Sequence, residues 1–185
     1  VYEDDKKQFI YSIILFTLFV ENVSLFSQFY IILHFNRNKA VLKDCAQQVQ
    51  YTRNEEMLHA QVGIQLINTL REEYPEMFDA ELESRIQEEI QDSLAAEGRV
   101  IDWMVGDYAV EGLDAEILKA FVGKRMKESM EQIGFDHSVI EVDKELADQT
   151  FWFDEALLGA TMTDFFQKRP VEYSKGQGIA ADELF

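Results

Sequence analysis

The sequence predicts an all-α fold, a packed bundle of helices. Three observations carry that expectation. Only nine glycines and two prolines punctuate 185 residues, alternating strand patterns are scarce, and the apolar run FIYSIILFTLFVENVSLFSQFYIILHF from Phe9 to Phe35 is far longer than any ordinary strand. A first helix is expected over about 5–36, ending in the polar segment NRNK, and a second over about 38–71. Pro75 within EEYPE stops the second helix, because proline removes a backbone donor. A third helix is expected over about 79–108, and a fourth over about 114–133 after the VEGLD turn, with shorter helices beyond. From Gln167 onward, QKRPVEYSKGQGIAADELF has one proline, two glycines and no helical apolar stripe. The expected organisation is therefore a helical body over 1–166 and a mobile tail over 167–185.

Composition narrows the partners. At 47% hydrophobic the chain can build one compact core. Its 35 acids against 17 bases leave a net charge of −18, which repels phosphate backbones and argues against nucleic-acid binding. Cys45 stands alone, so no disulfide framework or cysteine-based zinc site is expected, and a reducing, cytoplasmic compartment fits. The apolar run is long enough for a bilayer, where roughly 20 residues suffice. It carries Glu21 near its centre, however, with Asn22, Ser24, Ser27 and Gln28 close by. A carboxylate in mid-bilayer costs about 2.5–3.5 kcal/mol on insertion scales, so the run reads as a buried core helix and not as a membrane span. The first residues, VYEDDKK, lack the basic region and cleavage site of a secretory leader.

A buried ionised carboxylate must be paired, hydrogen-bonded or metal-bound, so the partner of Glu21 becomes the central question. In RNEEMLHAQ, Glu56 and His59 stand at i and i+3 and project from one helix face. A turn near 36–38 would set Glu21 and Glu56 at similar heights on two antiparallel helices. Carboxylate-bridged di-metal sites in four-helix bundles use a Glu from each of two helices and Glu-x-x-His from each of the other two. Carboxylates neutralise the paired cations, and imidazole supplies a nitrogen that suits iron or manganese. Glu21 with Glu56 and His59 is half of such a set.

At these residues the chain resembles the radical-generating small subunit of class I ribonucleotide reductase. The Glu helix followed by FSQF, then NEEMLH, then TFWFDEALLGATMTDFFQKRPVEYSKG is similar to the C-terminal half of that family's chains. The resemblance implies a ferritin-like bundle with Glu21, Glu56 and His59 as metal ligands to a di-iron centre, or alternatively a manganese–iron or di-manganese one. It puts Leu25 and Phe29 on the apolar wall of the metal pocket. Glu55 stands where the family generally has an Asp that hydrogen-bonds a ligand His; Asn54 replaces the usual Arg, and Asp148-Gln149-Thr150-Phe151 replaces the Asn-Pro-Phe-Pro segment. Tyr173 corresponds to the tail tyrosine that relays the radical between subunits. Ile179, Asp182, Glu183, Leu184 and Phe185 match the terminal peptide that docks on the large subunit.

The family's other ligands, its first Asp or Glu and its other Glu-x-x-His, have no counterpart in the sequence, nor do its radical-storing tyrosine and its electron-route tryptophan. The expectation is therefore a split or cleaved subunit, whose N-terminal half is a separate polypeptide completing the bundle. The assembled unit is expected to form a homodimer, bind the large subunit and serve deoxyribonucleotide synthesis. Two alternatives remain open on sequence: a homodimeric ferritin-like half-unit that oxidises or stores iron, and a non-enzymatic acidic interaction module in which the Glu-x-x-His is coincidental.

Overall fold

The computed structural model describes residues 3–106 and 110–155, and these are helical, with an isolated bridge between Val110 and Leu113 in place of any sheet. Helix α1 (Glu3–Leu15) runs directly into a π-helical stretch, Phe16–Ser24, and α register resumes in α2 (Phe26–Lys39). Then come α3 (Lys43–Glu73), a 3-10 turn (Pro75–Met77), α4 (Ala80–Val105), α5 (Ala115–Gln132) and α6 (Lys144–Asp148), with another helical turn over 151–155. The described residues as far as Phe153 form one compact unit. The expected tail, with Tyr173, Ile179, Asp182, Glu183, Leu184 and Phe185, lies outside the described residues.

The later breaks fall where the sequence places them, and each has a local cause. Asp79 caps α4 by accepting from the Leu82 amide at 2.9 Å, and Asp114 caps α5 through the Glu116 amide at 2.7 Å. Asp143 caps α6 by accepting from Glu145 and Leu146. The first break differs from expectation. NRNK remains helical, and the chain turns instead at Ala40 and Leu42, both left-handed with φ of 55° and 56°. Asn36 secures this turn, its carbonyl accepting from the Ala40 amide at 3.1 Å while its side chain donates to the Val41 carbonyl at 3.1 Å. The shift lengthens the arm carrying Glu21 and shortens the arm carrying Glu56. The π stretch, which packs more residues into each turn, takes back part of that difference.

The first long helix, including its π stretch, runs antiparallel to α3, and the two are in close contact where Gly63 meets Thr17. A Cβ added at Gly63 would lie 2.5 Å from Thr17 Cγ2 and 2.9 Å from its Cβ. Hydrogen is therefore the only side chain this crossing admits, and it lies one turn from both Glu21 and His59.

Around the other side of α2, the core is aromatic. Tyr30, Phe26, Phe121 and Phe153 are buried. Tyr30 lies 5.1 Å from Phe121 and 4.8 Å from Trp152 between ring centroids, and the indole N–H donates to its hydroxyl at 3.0 Å. Arg53, fully buried, donates to the Phe153 carbonyl at 3.3 Å and lies over the same ring. These contacts tie α2, α3 and α5 to the segment at 150–153. The helix from Asp5 to Lys39 is long and apolar enough to cross a membrane by length and composition, yet 44% of its apolar window is buried within the protein.

The Gly63→Ala substitution is expected to destabilise the fold by about 1–3 kcal/mol, the usual cost of overpacking a tight contact. Thermal unfolding checks this, and adding Thr17→Ala should recover part of the loss because it removes the nearest atoms.

Candidate metal centre

Glu21 comes from the π stretch, and Glu56 and His59 come from α3. One ligand atom from each lies within 4.8 Å of the other two, so the three could hold a single ion. His59 Nδ1 is 3.3 Å from Glu21 Oε2 and 3.5 Å from Glu56 Oε2. The carboxylates are largely shielded, at 12% and 18% side-chain exposure, whereas the imidazole is 59% exposed. The site is thus deep on its acidic side and open on its imidazole side.

Its electrostatics follow from packing two acids together. The Glu56 carboxyl is held above the ordinary range, chiefly by its hydrogen bond with Glu21 and then by burial. Two anions this close favour a shared proton. His59 is likewise raised, first by its hydrogen bond to Glu21, with Glu56 adding to the effect and desolvation opposing it. Both groups thus hold their protons more tightly than free side chains do. A divalent cation would displace them and take two oxygens and one nitrogen, a donor set that suits iron or manganese.

Exposed apolar side chains run along both helices that carry the site. Leu58, Val62 and Leu66 are exposed on α3, and Phe9, Phe16 and Val20 are exposed on the facing stretch of the first helix. The spacing of each set, four or seven residues, makes a stripe along its helix.

The other expected positions are placed as follows. Phe29 is buried, 5.5 Å from Phe26 between centroids, and Leu25 is partly buried against the same core. Glu55 is exposed, on the open side of α3, and its carboxylate does not bond His59. Sequence reasoning missed Asn22 and Arg125. Arg125 Nε donates to the Asn22 carbonyl at 2.9 Å, and Nη2 donates to the Asn22 side-chain oxygen at 2.7 Å. The signal was an arginine in the middle of the apolar AFVGKRM stripe of α5, a position that burial makes costly unless it is hydrogen-bonded.

An all-helical body with two carboxylates and an imidazole converging from adjacent antiparallel helices defines the carboxylate–histidine class of metal-binding bundle. Comparison with known proteins makes the assignment specific. Residues 1–139 match the family "Ribonucleotide reductase, small chain", and the chain belongs to that family. A probable ribonucleoside-diphosphate reductase small subunit of Invertebrate iridescent virus 3 is 25% identical over 175 residues, covering 94% of this chain and 45% of the viral protein. The ribonucleoside-diphosphate reductase subunit beta of Aquifex aeolicus is 33% identical over 126 residues, 65% of this chain and 17% of its own length. The subunit beta of Chlamydia pneumoniae is 34% identical over 79 residues, 43% of this chain and 22% of its own. The chain thus spans less than half the length of each. Proteins of this family are ferritin-like bundles with a di-metal site, and the all-helical body matches that fold.

Because the folded values of His59 and Glu56 are both raised, the metal-free cluster contributes its stability below their unfolded values. That contribution is lost as pH rises through the folded ones. NMR titration of the metal-free protein should place His59 above the ordinary 6.5, and Glu21→Gln should return it toward that value. Metal affinity should correspondingly rise with pH, as fewer protons need displacing.

Proposed function

We propose that these residues form the C-terminal part of the radical-generating di-metal subunit of a ribonucleoside-diphosphate reductase. Glu21, Glu56 and His59 supply half of the ligands. The observation that carries this reading is their convergence beside an apolar face that the protein leaves open. A di-metal centre needs about six protein ligands in this class of bundle, and three are here. The others come from outside these 185 residues, on a separate polypeptide bearing the N-terminal half. That polypeptide covers Phe16, Val20, Leu58 and Val62 and places its own histidine within reach of the exposed Glu55, which orients it as an outer carboxylate.

Within the site, this protein's residues do three things. Glu21 and Glu56, shielded from water, bring negative charge to a point where only cations or protons relieve it. His59 contributes a neutral nitrogen once its proton leaves. Leu25 and Phe29, on the turns after Glu21, extend an apolar wall that keeps water from the centre. The metals, iron or manganese, would supply the one-electron oxidising chemistry that side chains lack.

The residues beyond the body complete the reading. The tail from Gln167 tethers the subunit to its large partner. Ile179, Leu184 and Phe185 fill apolar pockets there, and Asp182 and Glu183 meet basic groups. Tyr173 relays the oxidising equivalent, since a phenol can lose an electron and a proton together. The assembled small subunit acts in the cytoplasm as a homodimer.

Native mass spectrometry of the protein isolated from its source, with metal analysis of each species, tests the assembly. The expected result is a 1:1 unit with a different polypeptide, carrying two metals, that loses them on Glu56→Gln or His59→Ala substitution. A metal-loaded homodimer of this chain alone would favour a half-ferritin instead, and metal content indifferent to those substitutions would leave only an interaction module. Removing residues 179–185 should abolish large-subunit binding, whereas Tyr173→Phe should keep binding and abolish turnover.

A further inference from the structure

The π stretch that carries Glu21 ends at Ser24, and α register resumes at Phe26. A change of helical register disturbs the regular ladder, so carbonyls near the junction need other donors. Here side chains provide them. Gln28 Nε2 donates to the Ser24 carbonyl at 3.2 Å, and Arg125 Nε, reaching across from α5, donates to the Asn22 carbonyl at 2.9 Å. Arg125 Nη2 simultaneously donates to Asn22 Oδ1 at 2.7 Å. The Asn22 amide nitrogen donates to Ser129 Oγ, and that hydroxyl donates back to the Arg125 carbonyl at 2.8 Å. The network closes on itself, which fixes which way the amide points, since oxygen must face the guanidinium and nitrogen the hydroxyl.

We propose that Arg125, acting through Asn22, is a positioning residue for Glu21: its two-pronged grip on one residue holds the π register that aims the adjacent carboxylate at Glu56 and His59. This rests on the reading of that cluster as a metal site. The grip involves both the main chain and the side chain of Asn22, so it fixes backbone position as well as rotamer. Arg125 is itself held in place. It is largely buried, with its guanidinium 3.6 Å from the centre of the Phe26 ring. The clamp therefore ties the start of α2, the π stretch and α5 into one rigid support behind the ligand.

Two substitutions separate positioning from charge. Asn22→Ala removes the side-chain half of the grip and leaves Arg125 in place. Arg125→Lys keeps the cation but loses the fork, because an ammonium is a point donor. Both are introduced into the assembled small subunit, and Mn2+ affinity, the EPR spectrum of bound Mn2+ and the thermal midpoint of the metal-free protein are measured. Positioning predicts that each variant loses roughly 10–100-fold in Mn2+ affinity, the scale of disrupted outer-sphere support. The EPR spectrum should change in both while the assembly remains folded. Wild-type affinity and spectrum in Asn22→Ala would overturn the proposal. So would wild-type behaviour of Arg125→Lys, which would make the contribution one of charge. Should Arg125→Lys fail to assemble, Asn22→Ala alone decides. Glu21→Gln run alongside isolates the underlying reading: if it binds Mn2+ as the wild type does, the metal assignment itself has failed, whatever Asn22→Ala shows.

Discussion

Much of this protein is arranged around one electrostatic constraint: two shielded carboxylates, Glu21 and Glu56, occupy the same small volume. Glu21 and burial raise the Glu56 carboxyl, and Glu21 raises the His59 imidazole, so both groups hold protons more tightly than they would alone. A fold seldom keeps such an arrangement for stability alone, because burying like charges costs free energy that apolar residues in the same place would not. The geometry is one in which a cation could relieve both charges.

Meeting that constraint requires close backbones and a rigid support. The crossing at Thr17 and Gly63 lets the first helix and α3 approach until short side chains span the gap. The π stretch supplies a local change of register, and such stretches are found frequently at functional sites. Behind it stand Arg125 and the aromatic core of Phe26, Tyr30, Phe121 and Phe153. Exposed apolar side chains run along both helices that carry the site.

Among the described residues, the charge outside this site is mainly on helix surfaces. Lys7 bridges to Asp79 and Glu81, and Lys119 to Asp102 and Glu116, all on exposed or half-exposed helix ends and faces. Such pairs stabilise little individually. One further acid departs from the pattern: Glu97 on α4 is half-buried, its carboxyl pushed up by desolvation while the Ser27 hydroxyl donates to it at 2.5 Å. It helps seat α4 against α2.

The sequence by itself determined the helical class, because few breakers and long apolar stripes leave no other way to bury the chain. It also determined the caps at Asp79, Asp114 and Asp143, which act within a few residues of themselves, and the grouping of Glu56 with His59, which follows from helical spacing. The partnership of these two with Glu21 was legible as a match of depths, although the turn it relied on lies a few residues later, at Ala40 and Leu42. Tertiary structure alone decided the π register and the clamp of Arg125 on Asn22. The reason is separation: Asn22 and Arg125 are 103 residues apart, as Tyr30 and Trp152 are 122. Local propensity cannot specify which distant donor will meet a particular carbonyl. That choice is made only when the helices pack and every buried polar group must find a partner.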